Sequence, residues 1–348
     1  MSTDSYILVD TALFLLYYLA RKVIVLLKDN VLCILEQHKG DVVTGGRLAS
    51  ELGVSRNAIW KTIRLLQDDG NDIVSVPNKG YRLLGTNDTL FEKFIRDGLM
   101  TSFIGQDMRI LPSVHSTNQY LKELDADTVD SGFVLIADEQ TGGRGRRGRV
   151  FVSRKGEGVY FSILLKLGRT QQDIRLLTVC AAVAVSRAIE DVCGIRADIK
   201  WVNDVFCDGK KVCGILTEAV VSGELQELST VIVGIGINTG MAPPEFSDIA
   251  TSVQEAAGVC GLRNRLIAGV LNQFEAVYLD YTERGNGAGV IEYYRSRLFI
   301  IGRQVLVSDV NSSYVATVQG VDDMGALIVM DDGGVVRFVS SGEIKLKW

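Results

Sequence analysis

Gly142-Gly143-Arg144-Gly145-Arg146-Arg147-Gly148-Arg149 places four arginines within six residues and interrupts them with glycine. Glycine at this density destabilises helix and strand alike, so the segment reads as a loop. Guanidinium forks grip phosphate or carboxylate at two points, and glycine lets the backbone approach a ligand and reshape around it. The stretch therefore suits closure over a polyanion carrying several oxygens. Alone, an Arg/Gly tract serves equally well as a disordered nucleic-acid tether. Its neighbours decide between the two, and with them the fold of the central region.

Outward from the loop, strands and helices alternate. Apolar runs at Phe133–Ala137, Val159–Leu165, Val212–Ala219 and Val231–Val233 read as buried strands. Residues 173–192 repeat Leu177, Ala181, Ala184 and Ile189 as a small-residue helix ended by Gly194. A later helix, Arg263–Thr282, carries Leu266, Val270, Phe274 and Val277 on one face. The pattern predicts an α/β domain over residues 87–300. Residues 301–348 then switch to short strands (Val305–Val307, Val315–Val318, Leu327–Val329, Val335–Phe338) between Asp/Gly turns, which predicts a small appended β-barrel.

Upstream, residues 28–86 read as three helices and a hairpin. Val31, Leu32, Ile34 and Leu35 mark the first helix; Thr44 caps a second that stops at Gly53; Ser55 caps a third running to about Gln67. Ile59, Ile63 and Leu66 face inward in that third helix, which turns Asn57, Lys61 and Arg64 outward. Ile73–Val76 and Tyr81–Leu84 flank a Pro77-Asn78-Lys79-Gly80 turn. This predicts a winged helix-turn-helix, with Ser55, Arg56, Asn57, Lys61, Arg64 and the wing's Lys79 as the DNA-binding set. The plainer alternative is a protein–protein module with a solvated charged face.

The 348 residues allow two or three domains, and 47% hydrophobic with 23% charged residues is ordinary globular composition. A net charge of -5 excludes a mainly electrostatic nucleic-acid coat, so DNA contact needs a local basic face. Six scattered cysteines without C-x-x-C predict buried thiols in a reducing cytoplasm, and two histidines exclude a His-rich metal centre. Residues 1–27 are apolar but cut by Asp10 and Arg21-Lys22, with no basic lead and no small-residue cleavage site. The uninterrupted run from Thr11 to Ala20 falls short of the roughly 20 residues a bilayer span needs. The segment is expected to pack locally or to reflect an upstream start, with no membrane partner.

Four patches carry candidate chemistry: Ser116-Thr117-Asn118 before a helix; Gln140 with the Arg/Gly loop; Lys200-Trp201-Val202-Asn203-Asp204, read as a strand ending in an amide and a carboxylate; and Lys211 entering an otherwise buried strand. Singly, each has a bland reading as helix cap, turn or strand mouth. Gly234-Ile235-Gly236 is weak as a dinucleotide fingerprint because no third glycine or downstream acid completes it.

Together they resemble the biotin–protein ligase family, specifically its bifunctional members that also repress biotin synthesis. The resemblance runs from about residue 28 to Trp348 and adds Gly234-Ile235-Gly236-Ile237-Asn238 and the closing Gly342-Glu343-Ile344-Lys345-Leu346. Val202 stands where the family usually has proline, and Phe151 where tryptophan commonly follows the loop. The resemblance implies an α/β (α+β) multidomain chain: winged helix-turn-helix, mixed-sheet biotin/lipoate-ligase-like catalytic domain and SH3-like β-barrel. It also implies biotin and ATP as substrates with Mg²⁺, a biotin carboxyl carrier domain and operator DNA as partners, and a homodimer promoted by biotinyl-AMP. Ser116, Thr117, Asn118, Gln140, Arg144, Gly145, Arg146, Lys211, Gly214 and Ile215 would then hold biotin. Arg144, Arg146, Arg149, Asn203, Lys211 and Asn238 would hold the nucleotide. Arg144, Arg146, Arg149 and Lys211 would carry the catalysis. Asn203 and Asp204 would hold Mg²⁺ or orient the attacking amine, two roles the sequence does not separate. Alternatives are a ligase without regulatory DNA binding and a non-catalytic biotin sensor; the intact Lys211 and Asp204 argue against the sensor.

Overall fold

The computed structural model describes residues 27–28, 30–68, 70–85, 88–125, 128–166, 174–222, 227–242, 244–282, 287–308 and 313–346. The apolar segment before residue 27 lies outside the described residues. The chain divides into two compact units, Met1–Lys93 and Phe94–Trp348, with the division inside the short helix α4 (Glu92–Asp97).

In the first unit, helix α1 (30–37) precedes α2 (Gly45–Leu52), α3 (Arg56–Asp68) and the antiparallel hairpin β1 (Asp72–Val76) and β2 (Gly80–Gly85). Local chemistry sets these boundaries. Thr44 Oγ1 accepts from the Arg47 N–H at 3.0 Å, Gly53 closes α2 at φ 64°, and Ser55 Oγ accepts from the Ala58 N–H at 3.1 Å. Ile59, Ile63 and Leu66 are buried while Asn57, Lys61 and Arg64 are exposed, so the amphipathic reading of α3 holds. Val43 pairs with Tyr81 beside the hairpin, and the unit is a winged helix-turn-helix.

The second unit is built on a seven-stranded mixed sheet in the order β3-β4-β5-β9-β8-β7-β6. Its strands are β3 (Met108–Leu111), β4 (Val134–Ala137), β5 (Gly158–Lys166), β6 (Asp198–Lys200), β7 (Asp204–Cys207), β8 (Lys210–Ser222) and β9 (Glu227–Asn238). Only β3 and β4 pair in parallel. Strand β5 is buried at every position from Gly158 to Leu165, so both sheet faces are covered. Helix α5 (Thr117–Glu123) packs Leu121 on one face with Phe133, Leu135, Leu164 and Ile232. On the other face lie α6 (Ile174–Cys193) and α8 (Arg263–Thr282), after the short α7 (Val253–Ala257), and α9 (Gly287–Arg297) packs against α6 and α8. Glu275 of α8 accepts from the backbone N–H groups of Ser102, Phe103 and Ile104, which fixes the loop entering β3.

The C-terminal sheet is antiparallel: β10 (Gln304–Ser308), β11 (Ser313–Val321), β12 (Leu327–Asp331), β13 (Val336–Val339) and β14 (Glu343–Leu346). Its ladder runs β13-β12-β11-β10-β14, with β13 and β14 at its ends. Trp201 Nε1 donates to Gly325 O at 2.9 Å and Arg295 Nη2 to Val321 O at 2.8 Å, tying this sheet to the β6–β7 turn and to α9.

One expectation is corrected. Asn203-Asp204 does not end a strand: β6 stops at Lys200, Trp201–Asn203 form a turn and Asp204 opens β7 opposite Lys200. The turn is pinned sideways, since Asn203 O accepts from the Ile215 N–H at 3.0 Å and Asn203 Nδ2 donates to Ile215 O at 2.9 Å. Strands β8 and β9 also run longer than their apolar stretches: β9 continues through Gly234 and Gly236, each paired on both sides, and β8 is extended at its ends by pairing with β7 and β9.

Candidate active site: a cationic cleft over a glycine floor

The Arg/Gly loop folds over one face of the sheet. Arg144 pairs with Val150, Gly145 N–H donates to Arg149 O at 2.7 Å, and Arg146–Gly148 make a single tight turn between them. Beneath lies a cleft of about 1010 Å³, its open mouth included, to which the loop, α5, the β6–β7 turn, β8, β9 and the start of β14 all contribute. Ser116, Thr117, Asn118, Gln140, Arg144, Gly145, Arg146, Arg149, Asn203, Asp204, Lys211, Gly214 and Ile215 all line it. Asn238 does not; its Nδ2 donates to Thr251 O at 3.1 Å at the end of β9.

The floor is made of glycine. Gly214 and Gly236 are register partners on β8 and β9, and a Cβ on Gly236 would come within 2.5 Å of the Phe151 ring. Gly234 lies between Ser162 of β5 and Leu216 of β8, where a Cβ would overlap Asn118 Oδ1. The Gly234-Ile235-Gly236 run is thus clearance for two site side chains rather than a dinucleotide loop. Phe151 occupies the place above the floor.

The two ends of the cleft differ chemically. At the α5 end, Thr117 N–H donates to Gln140 Oε1 at 2.8 Å and Gln140 Nε2 to Ser153 Oγ at 3.0 Å. Ser162 Oγ lies 2.6 Å from Asn118 Oδ1 and 2.7 Å from Thr117 Oγ1. At the loop end, Arg144, Arg146, Arg147, Arg149, Lys200 and Lys211 face only two carboxylates among the described lining residues, Asp204 and Glu343. In a chain of net charge -5 this concentrates positive charge at one spot, as a polyphosphate needs. Lys211 Nζ contacts Asp204 Oδ1 at 2.6 Å, and Arg149 pairs with Glu343. Burial pushes the Arg146 and Lys200 pKa values down, assisted by Arg147 and Lys211 respectively and opposed in both cases by Asp204. Burial would raise the Glu343 carboxyl, but Arg149, Lys345 and Arg147 more than reverse it.

Lys200, Trp201, Arg147, Phe151 and Glu343 join the cleft without having been singled out as site residues from sequence. Lys200 and Trp201 stood beside Asn203 in the quoted block, and Phe151 beside the loop. Glu343 stood in the quoted closing run Gly342–Leu346, and only the fold brings that run to the loop. Among the described residues no group of three or more His, Cys, Asp or Glu side chains could hold a metal ion. The cleft offers Asp204 and Glu343 as its carboxylates, each already facing a cation.

On the first unit, Arg56, Asn57, Lys61, Arg64 and Lys79 are all exposed, and the Arg64 guanidinium lies 5.4 Å from the Trp60 ring centre. Ser55 is exposed too, with its hydroxyl engaged as the cap of α3. No described helix is long and apolar enough to cross a membrane.

Comparison with known proteins matches three segments of the chain. Residues 28–82 match a helix-turn-helix domain, residues 110–238 the biotin/lipoate A/B protein ligase family, and residues 300–347 the biotin protein ligase C-terminal domain. The bifunctional ligase/repressor BirA of Bacillus subtilis is 35% identical over 319 residues, covering 90% of this chain and 97% of that protein. The protein of the same description from Escherichia coli is 30% identical over 311 residues, covering 88% and 94%. Among solved structures, the biotin protein ligase of Aquifex aeolicus in complex with biotin and ATP superposes with a TM-score of 0.61 at 30% identity, covering 70% of this chain and 99% of that one.

Proposed function

The chain belongs to the biotin protein ligase family, and from that premise we propose that it joins biotin to ATP and passes the biotinyl group to a carrier-domain lysine. The observation that carries this reading is the two-ended cleft: a hydrogen-bonding pocket of Thr117, Asn118 and Gln140 at one end, Lys211 and the arginine loop at the other. Biotin's fused ring, with its ureido group, fits the first end. Its carboxylate then extends along the glycine floor toward the cations.

In the first step a carboxylate oxygen attacks the α-phosphorus; a C–O–P anhydride forms and the bond to pyrophosphate breaks. Two anions must meet, and Arg144, Arg146, Arg149 and Lys211 offset their repulsion and the charge gathering on phosphorus. In the second step the lysine amine attacks the acyl carbon, the amide forms, and AMP departs. Asp204, 2.6 Å from Lys211, sits where it would orient that amine and take up its proton. Mg²⁺ would be held chiefly by phosphate and water with Asp204 as its protein carboxylate, neutralising phosphate charge. The loop's closure keeps water from the anhydride.

The winged helix-turn-helix supports a second activity, repression of biotin synthesis genes by operator binding, with biotinyl-AMP ordering the loop and promoting a homodimer suited to a paired site. The chain is expected to work in the cytoplasm. The ligase half is tested by incubating full-length protein with biotin, ATP, Mg²⁺ and a biotin carboxyl carrier domain and weighing the carrier. One added biotinyl group on one lysine supports the reading; an unmodified carrier overturns it. A gel shift on a biotin-operon operator, strengthened by biotin plus ATP, supports the repressor half, and no shift in either condition removes it.

A further inference from the structure

Asn118 belongs to a hydrogen-bond chain whose direction is set from outside the cleft. Its Nδ2 donates to Glu218 Oε2 at 2.8 Å and to Leu216 O at 3.1 Å, and Lys122 Nζ holds the other Glu218 oxygen at 2.7 Å. Flipping the amide would turn Asn118 Oδ1 onto a carboxylate and a carbonyl, both acceptors, so the side chain is held in one orientation. Asn118 Oδ1 therefore faces fully buried Ser162, and only the serine has a proton to place in that 2.6 Å contact. A serine hydroxyl has one proton. The 2.7 Å contact between Ser162 and Thr117 must then be filled by the proton of Thr117.

The other side is fixed independently. Ser153 Oγ gives its proton to Phe151 O at 3.1 Å, so it accepts from Gln140 Nε2, and Gln140 Oε1 accepts from the Thr117 N–H. What remains is Thr117 Oγ1 and Gln140 Oε1, 3.1 Å apart and both lining the cleft, neither with a proton for the other. Two converging acceptors call for an N–H donor on the ligand.

We propose that Glu218, backed by Lys122, is a positioning residue that sets the polarity of this chain and so makes the ring end of the cleft a reader of N–H donors. Neither residue lines the cleft; they act through Asn118. The inference rests on the ligase reading, in which the donor is a ureido N–H.

The test compares biotin with a derivative methylated on its ureido nitrogens, using biotin-dependent exchange of pyrophosphate into ATP by the full-length protein. Wild type should favour biotin by roughly 10²-fold or more, since the analogue leaves buried acceptors unpaired. Glu218→Gln should raise the KM for biotin and cut the preference, each about tenfold, with kcat and the KM for ATP unchanged. The loss arises because Lys122 draws the glutamine oxygen and leaves its NH₂ facing Asn118. Adding Lys122→Met frees that oxygen to accept from Asn118, and the double variant should regain the preference. Equal preference in wild type and Glu218→Gln overturns the proposal, as does a fall in kcat with both KM values rising together. No exchange by wild type would instead overturn the ligase reading, and this inference with it.

Discussion

Gly234→Ala adds one methyl group at the point where Asn118 crosses β9. The new Cβ would overlap Asn118 Oδ1 and stand 2.9 Å from its Cγ, against the 3.4–4 Å of ordinary contact. The asparagine must therefore retreat by about half an ångström at Cγ and further at its oxygen. It cannot do so and keep its bonds to Ser162 at 2.6 Å and Glu218 at 2.8 Å. Overpacking of this kind costs about 1–3 kcal/mol, which lowers Tm by roughly 2–12 °C for a unit of this size. The functional loss is selective: displacement of a positioning side chain by about 1 Å costs up to roughly 10²-fold. The KM for biotin should rise about 10- to 100-fold while the KM for ATP holds, because the loop end of the cleft is untouched. Titrating biotin at saturating ATP, with circular dichroism to establish folding, measures both quantities. A folded variant with an unchanged KM for biotin would refute the packing argument.

Three further predictions follow from other parts of the molecule. Arg146→Ala should lower kcat/KM for ATP by roughly 10²–10³, and Arg146→Lys should restore little because a point charge lacks the two-pronged geometry; full rescue by lysine in steady-state kinetics would contradict this. The Glu275 carboxyl is pushed up by burial but brought below its ordinary value by bonds from the Ser102, Ile104 and Phe103 backbone and the Ser102 hydroxyl. Its stabilisation is therefore complete above the unfolded value of about 4.3 and lost as pH falls through the lower native value. Glu275→Gln should cost about 1.5–3 kcal/mol at neutral pH, and thermal melts should show the gap to wild type closing in acid; a gap independent of pH would sink the assignment. Lys61→Ala should flatten the salt dependence of operator binding by about one unit in the log–log slope. Anisotropy at several salt concentrations measures it, and an unchanged slope and affinity would leave that helix face in solvent.

Sequence legibility followed the range of the forces involved. Helix α8 matches its sequence expectation at both ends, and Thr44, Gly53 and Ser55 delimit α2 and α3 as read, because periodicity and capping act within a few residues. Strand β9 was underestimated because Gly234 and Gly236 look like breaks until their partners are known, whereas β8, read through Gly214, is extended at its two ends by pairing with β7 and β9. The β6–β7 turn was misplaced for the same reason: its hold on Ile215 is a contact across twelve residues. The site's charged residues were legible because loop and lysine sit in short motifs. Glu343 also sits in a quoted run, but its meeting with Arg149, 194 residues away, was not legible. Ser162 and Glu218, the residues that orient Asn118, carry no motif at all, and only the sheet register brings them to it.

The proposed ligase reaction depends on Lys211 and the arginine loop jointly enabling attack of a carboxylate on the α-phosphate. Exchange of labelled pyrophosphate into ATP isolates that step from carrier and DNA. Exchange should require biotin and fall by roughly 10² or more in Lys211→Ala, with the variant still folded. Exchange that proceeds without biotin, or that survives loss of the Lys211 ammonium at the wild-type rate, would contradict it.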